Sequence, residues 1–176
     1  MRVMQTKRIK ICYLITGLNT GGAEMMLYRL IEKLDKTKYN VIVVSIIPLG
    51  KVADKIKELG INVVSLEMKS KLELSVIFRL VHILKEFKPT ILHSYLFHAN
   101  LLGRIAGKIA GVPIIISSIR NTIFGGQIRE LALRYTDFLS DATTIICETA
   151  AKRMISRKVV PKEKLHVIYN GIDPKM

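Results

Sequence analysis

Apolar residues along this chain follow two alternating rhythms. Short runs dense in Ile, Val and Leu recur at 10–15, 41–47, 63–66, 91–92, 114–118, 142–147 and 165–168, several closed off by Gly, Pro or polar residues. Between them, apolar residues return every three or four positions, the period of a helix with one buried face. The first such stretch carries Leu27, Leu30, Ile31 and Leu34; the second carries Ala53, Ile56 and Leu59, with Gly60 as its C′ residue. A long amphipathic helix over 73–87 sets Leu74, Ile77, Val81 and Leu84 on its inner stripe. The next places Leu101, Leu102, Ile105, Ala106 and Ile109 at helical spacing and ends at Gly111. A helix over 127–139 presents Ile128, Leu131, Tyr135 and Phe138, and a basic helix spans 148–158. Strands alternating with helices predict right-handed βαβ crossovers and a doubly wound, mostly parallel, seven-stranded α/β sheet of Rossmann-like type.

Length agrees with that architecture: 176 residues suit one domain with a full hydrophobic core. Cys12 and Cys147, far apart in apolar strand patterns, read as two free buried thiols in a reducing compartment. The basic N-terminus leads into an apolar run too short for a signal sequence, and no stretch reaches transmembrane length. The expected location is cytoplasmic. Charge adds something the pattern does not show. A formal net charge of +14 calls for an anionic partner: a membrane surface, a phosphate-bearing substrate or nucleic acid. Nucleic acid is disfavoured, because the chain has no RNA-binding aromatic signature, zinc finger or helix-turn-helix pattern.

Candidate chemistry gathers where the fourth strand turns into its helix, at His93-Ser-Tyr-Leu-Phe-His-Ala-Asn-Leu-Leu-Gly103. The carboxyl edge of an open parallel sheet is where ligands bind. His93, Tyr95, His98 and Asn100 there suit proton transfer and hydroxyl recognition. For His93 a packed, hydrogen-bonded role stands beside a chemical one. His98, next to a helix start where backbone donors cluster, is the better candidate for function.

The turn after the first strand, Thr16-Gly-Leu-Asn-Thr-Gly-Gly22, lacks the G-x-G-x-x-G spacing of a dinucleotide site. The second strand ends Ser45-Ile-Ile-Pro48, without the acid that would hold a ribose, and no P-loop Gly-Lys-Ser/Thr occurs. Gly17, Gly21 and Gly22 still allow backbone to approach a phosphate or a sugar ring; a tight turn needing positive φ is the plainer alternative. Glu24 suits the positive end of the helix dipole and is also placed to reach a substrate hydroxyl.

Four stretches, in order, carry a resemblance. Thr16-Gly-Leu-Asn-Thr-Gly-Gly-Ala-Glu24 resembles the opening of family-4 glycosyltransferases of the GT-B fold. Leu92 to Gly103 resembles the central signature of their bacterial polysaccharide-assembly members, and Ser117-Ser-Ile-Arg-Asn121 and Val167-Ile-Tyr-Asn-Gly-Ile-Asp173 match in order and spacing. The resemblance implies the acceptor-side half of a two-domain, retaining, metal-independent enzyme that uses a nucleotide-diphosphate sugar as co-substrate. Residues 1–168 would form this Rossmann-like half and 169–176 the start of a linker to a C-terminal donor domain. By position it implies donor contacts at Gly21, Gly22 and Tyr95, and acceptor contacts at Glu24, Asn100, Arg120 and Asn121. Many relatives have a histidine where Tyr95 stands. Tyrosine, with a pKa near ~10, is a poor base at neutral pH, so the proton-handling role falls to His98. The expected acceptor is lipid-linked or a polysaccharide. Rival readings are a nucleotide or phosphosugar binding module, or a GT-B epimerase or phosphorylase.

Membership of that class also implies attachment to anionic lipid at the inner membrane face. Candidate contacts are Arg104 and Lys108 on one helix, and Lys152, Arg153, Arg157, Lys158, Lys162 and Lys164 after the sixth strand. Ile119, Ile123 and Phe124 would add apolar insertion.

Overall fold

A computed structural model describes residues 8–70, 73–120 and 126–171. Among the described residues there are seven strands: β1 (Ile9–Ile15), β2 (Tyr39–Ser45), β3 (Asn62–Ser65), β4 (Ile91–Tyr95), β5 (Ile114–Ile119), β6 (Ala142–Ile145) and β7 (Leu165–Val167). Between them run α1 (Gly22–Glu32), α2 (Lys51–Glu58), α3 (Ser75–Phe87), α4 (Phe97–Ala110), α5 (Gln127–Thr136) and α6 (Glu148–Ser156). A short 3-10 turn over Asp137–Leu139 follows α5. All strand pairings are parallel, in the order β3-β2-β1-β4-β5-β6-β7. Among the described residues, no helix is long and apolar enough to cross a membrane.

Because side chains alternate across a strand, each central strand feeds two cores. Ile11, Tyr13, Ile15, Val41, Val43 and Tyr95 pack against α1 and α2 on one face. Cys12, Leu14, Val44, Leu92 and Ile115 pack against α3 and α4 on the other. Ile119 and Ile145 meet Leu133 of α5 and Ala150, Ala151 and Met154 of α6 on that second face. The order reverses direction between β1 and β4, so α1 and α4 leave adjacent strands toward opposite faces. That divergence opens a crevice at the carboxyl ends of β1 and β4, the switch point of a doubly wound sheet.

Two helices, α4 and α5, do not bury the whole stripe their spacing predicts. In α4 the buried residues are Ala99, Asn100, Gly103, Arg104, Ala106 and Gly107, while Ile105 and Ile109 are exposed. At its C-terminal half the cause is proximity: a Cβ on Gly107 would come within 2.8 Å of the Ile115 side chain and 2.9 Å of that of Leu92, so no side chain fits at that point. In α5 the buried residues are Glu130 and Leu133, and Ile128, Leu131, Tyr135 and Phe138 face outward. Leu74, just before α3, and Leu30 of α1 are likewise exposed.

The inward turn of α5 is set by Arg104, which is not on a basic surface but fully buried. Its Nε donates to Ser117 Oγ (3.0 Å), and its Nη1 donates to the Leu133 carbonyl (2.8 Å) and Thr136 Oγ1 (3.0 Å). Its Nη2 reaches Asp137 Oδ1 at 3.4 Å. Four acceptors from β5, α5 and the following turn therefore close on one guanidinium. Ile119, expected at a lipid surface, is also buried. Ile123 and Phe124 lie outside the described residues.

Candidate functional site

The crevice has two walls. One is the start of α1. Positive φ among the described glycines belongs to Gly60, Gly111 and Gly126, so Gly17, Gly21 and Gly22 do not serve to supply left-handed backbone. Gly21 lies directly beneath the Glu24 carboxylate: a Cβ there would have Glu24 Cδ at 3.1 Å, the mobile end of a side chain that can give way. Glu24, in the first turn of α1, thus folds its acid back over the residue that precedes the helix, where it complements the helix dipole. A ligand anion would meet that carboxylate, so the end of α1 is better fitted to accept a hydroxyl hydrogen bond than to cradle a phosphate. Gly22 has open space where its Cβ would be, leaving room for a ligand. At the end of β1 the buried Thr16 hydroxyl has no hydrogen-bond partner among the described residues.

The other wall is the β4–α4 turn. Strand β4 runs to Tyr95, beyond the Ile91 and Leu92 that the sequence pattern marks. Leu96 then takes φ 75° and ψ 164°, a backbone region that is essentially glycine's own. This kink swings the chain into α4 and sets His98 in its first turn. The His98 ring stands edge-on to Phe97, with centroids 5.2 Å apart, and the Arg129 guanidinium lies 5.1 Å from the Phe97 ring centre.

Asn100, expected at the acceptor, is buried, and its amide is committed. Its Oδ1 accepts from Ser94 Oγ (2.8 Å) and its Nδ2 donates to the Ser118 carbonyl (3.0 Å). Asn100 therefore pins the start of α4 to β4 and β5. Tyr95 is buried too, its ring 4.6 Å from that of His93 and 5.8 Å from the Arg120 guanidinium. Burial raises the Tyr95 phenol above its ordinary range, which keeps it protonated.

His93 sits in this aromatic cluster, with Tyr13 5.7 Å away, and its Nε2 is 2.8 Å from Ser118 Oγ. Ser118 in turn lies 2.6 Å from Thr144 Oγ1, extending the chain of polar groups across β4, β5 and β6. Burial, helped by the charge of Arg120, lowers the His93 pKa to about 4, so its imidazole is neutral at physiological pH. Arg120 Nη2 also donates to Asn170 Oδ1 at 2.5 Å. Two sequence stretches singled out separately, around Arg120 and around Asn170, thus meet at the carboxyl edge. Asn121 lies outside the described residues.

Tyr13, Ser118 and Thr144 escaped the sequence reading. Their signal was the two-residue period: Tyr13, His93 and Tyr95 share one face of the sheet, as do Ser118 and Thr144.

Solved structures share this architecture. HepE of Anabaena in complex with UDP is 20% identical with a TM-score of 0.70, over 94% of this chain and 45% of that one. The lipopolysaccharide outer core galactosyltransferase WaaB, in apo form, is 18% identical with a TM-score of 0.72, over 94% of this chain and 46% of that one. At such identities the likeness shows the fold: a Rossmann-like domain of the GT-B type. The model of glycosyltransferase family 4 matches residues 20–176, and the chain belongs to that family.

Among curated relatives, EpsF of Bacillus subtilis (strain 168), a provisionally named glycosyltransferase, is 24% identical over 97% of this chain and 47% of its own length. A UDP-Gal:alpha-D-GlcNAc-diphosphoundecaprenol alpha-1,3-galactosyltransferase of Escherichia coli is 32% identical over 53% of this chain and 26% of its own length. The chain spans less than half the length of these curated relatives.

Proposed function

We propose that this chain is the acceptor-side half of a retaining glycosyltransferase. It moves a sugar from a nucleotide-diphosphate sugar to a lipid-linked or polysaccharide acceptor at the cytoplasmic face of a membrane. The observation that carries the reading is the family match over residues 20–176 in a chain that spans less than half of its relatives' length. A relative whose name pairs UDP-Gal with a diphosphoundecaprenol acceptor supports the substrate classes. The donor wall then comes largely from a second domain, joined through residues 169–176.

In this reading the acceptor hydroxyl must lose a proton as the new glycosidic bond forms. That role is assigned to His98, in the first turn of α4. Glu24 takes a sugar hydroxyl, the open space at Gly22 admits the donor, and Arg120 presents a cation beside Asn170. Tyr95 and Asn100 hold these groups in position from below, and Asn121, next to Arg120 in sequence, is assigned to the acceptor.

The test uses the longer polypeptide with its second domain, a UDP-sugar and a lipid-diphosphate acceptor. Wild type should give product with the anomeric configuration of the donor. His98→Ala should lower kcat by roughly 10²–10⁴ with an unchanged melting temperature. An inverted product would sink the retaining mechanism. Wild-type turnover in His98→Ala would sink the role of that histidine.

A further inference from the structure

Helices α4 and α5 start from the same unusual backbone setting. Gly126, ahead of α5, takes φ 116° and ψ 164°, and Leu96, ahead of α4, takes φ 75° and ψ 164°. Glycine adopts that region freely, whereas a residue with a Cβ is strained there. Lys88 shows the difference: its φ of 52° and ψ of 61° fall in the left-handed well that ends many helices. A glycine at 96 would make the β4–α4 turn without strain, yet leave it free to swing. A leucine adds an anchor, since its side chain is half-buried against the core cluster of Leu18, Leu27 and Tyr95 on the α1 side.

Strain of this kind persists only where the surroundings over-determine it. Here the restraint converges on one residue. Asn100 Oδ1 accepts from Ser94 Oγ (2.8 Å), just ahead of the strained position. Asn100 Nδ2 donates to the Ser118 carbonyl (3.0 Å), which also accepts from the Leu96 N–H (3.3 Å). The Asn100 N–H closes on the Leu96 carbonyl at 2.9 Å. Further along α4, a Cβ on Gly103 would stand 3.2 Å from Ser94 Cβ, so the helix lies close on β4 and has no room to shift inward. Asn100 itself is 1% exposed, too enclosed to touch a substrate. Its bonds all serve the start of α4, at the carboxyl edge of β4 and β5.

We propose that Asn100 is a positioning residue: its amide holds Leu96 in the strained setting, and Leu96 fixes the first turn of α4, with His98, in one orientation for sugar transfer. The proposal rests on the glycosyltransferase reading above and on the role given there to His98. Groups held in one setting before the substrate arrives need no reorganisation when it does. With the clamp removed, Leu96 falls back to ordinary extended backbone and the turn spreads over several settings.

The strain is measured on this chain, without substrate. Leu96→Gly and Leu96→Ala lose nearly the same packing, but only glycine sits unstrained at this φ. Leu96→Gly should therefore unfold at the higher urea concentration, the reverse of the usual order of the two residues. The positioning role is read in the longer polypeptide with its second domain, a UDP-sugar and a lipid-diphosphate acceptor. Asn100→Ala should lower kcat by about ten- to a hundredfold with KM little changed, the factor by which such strain shifts a population once its restraint is gone. Adding Leu96→Gly should recover about tenfold in kcat, because glycine needs no clamp, and adding Leu96→Ala should recover nothing. If Asn100→Ala does not fold, Ser94→Ala removes one bond of the clamp and should show the same pattern at smaller size.

Leu96→Ala as the more stable of the two variants would overturn the strained turn. Wild-type kcat in Asn100→Ala, a loss confined to KM, or a loss that Leu96→Gly does not repair would overturn the positioning role and leave the transferase reading intact. Wild-type turnover in His98→Ala would remove His98 as the group positioned. No sugar transfer by the wild-type longer polypeptide would overturn the transferase reading itself, and the part of Asn100 in the reaction with it.

Discussion

Replacing Arg104 by Met keeps most of the buried stem and removes the guanidinium. The loss is then electrostatic and hydrogen-bonding, not a cavity. Burial lowers the Arg104 pKa to about 10, so the group is still charged at neutral pH. Without it, the buried Asp137 carboxylate keeps Lys164 Nζ at 3.5 Å, a partner of looser geometry. Ser117 Oγ loses its Arg104 contact as well, and the Leu133 carbonyl loses its shortest side-chain donor. Breaking a buried pair by removing one member typically costs about 3–5 kcal/mol. For a chain of this size that corresponds to a fall in Tm of about 6–20 °C. Urea unfolding followed by circular dichroism measures it directly. The decisive comparison is a double-mutant cycle with Asp137→Leu, which removes the orphaned charge and should make the double variant more stable than the sum of the singles implies. A loss under about 1 kcal/mol in Arg104→Met, or simple additivity in the cycle, would refute the account of Arg104 as the tie between α4, α5 and β5.

Two further outcomes are expected. The unfolded chain takes up a proton on His93 near pH 6.5, which the folded chain resists until about pH 4, so stability should fall as pH drops through that window, by up to about 3 kcal/mol. His93→Gln should remove that part of the pH dependence in parallel urea titrations; identical slopes in the two proteins would show that His93 is not the titrating group. At the crevice, Gly22→Val fills open space and should weaken nucleotide-sugar binding by the longer polypeptide more than it lowers Tm, whereas unchanged donor affinity would remove Gly22 from the site.

Much of the sheet was legible because parallel strands, buried on both faces, write themselves as apolar runs. The β4 boundary was not, since His93, Ser94 and Tyr95 are polar or amphipathic residues inside a strand. The face of α5 was read backwards, and Ile105 and Ile109 of α4 were misassigned to the core, for a related reason. Periodicity weights bulk and polarity, yet α4 buries Gly, Ala, Asn100 and Arg104 against the sheet, and the buried guanidinium draws the polar side of α5 inward. The exposed apolar stripe kept its helical spacing and looked like a core. At the site, the motif stretches were visible as sequence, and the convergence of Arg120 on Asn170, fifty positions along the chain, was not. Nor could residue types alone tell that the amide of Asn100 is spent on Ser94 and Ser118.

The strand order has a colloidal consequence. The ladder is seven residues deep at β1 and β2 and thins to four at β3 and three at β7, the two rims. A rim that short offers a neighbouring molecule few free peptide groups to pair with, which is how natural sheets avoid stacking edge to edge. Like charge adds to this, since two copies each carrying +14 repel one another before their rims can meet. The domain can therefore resist edge-to-edge association at high concentration, its strand edges too brief to seed a growing sheet.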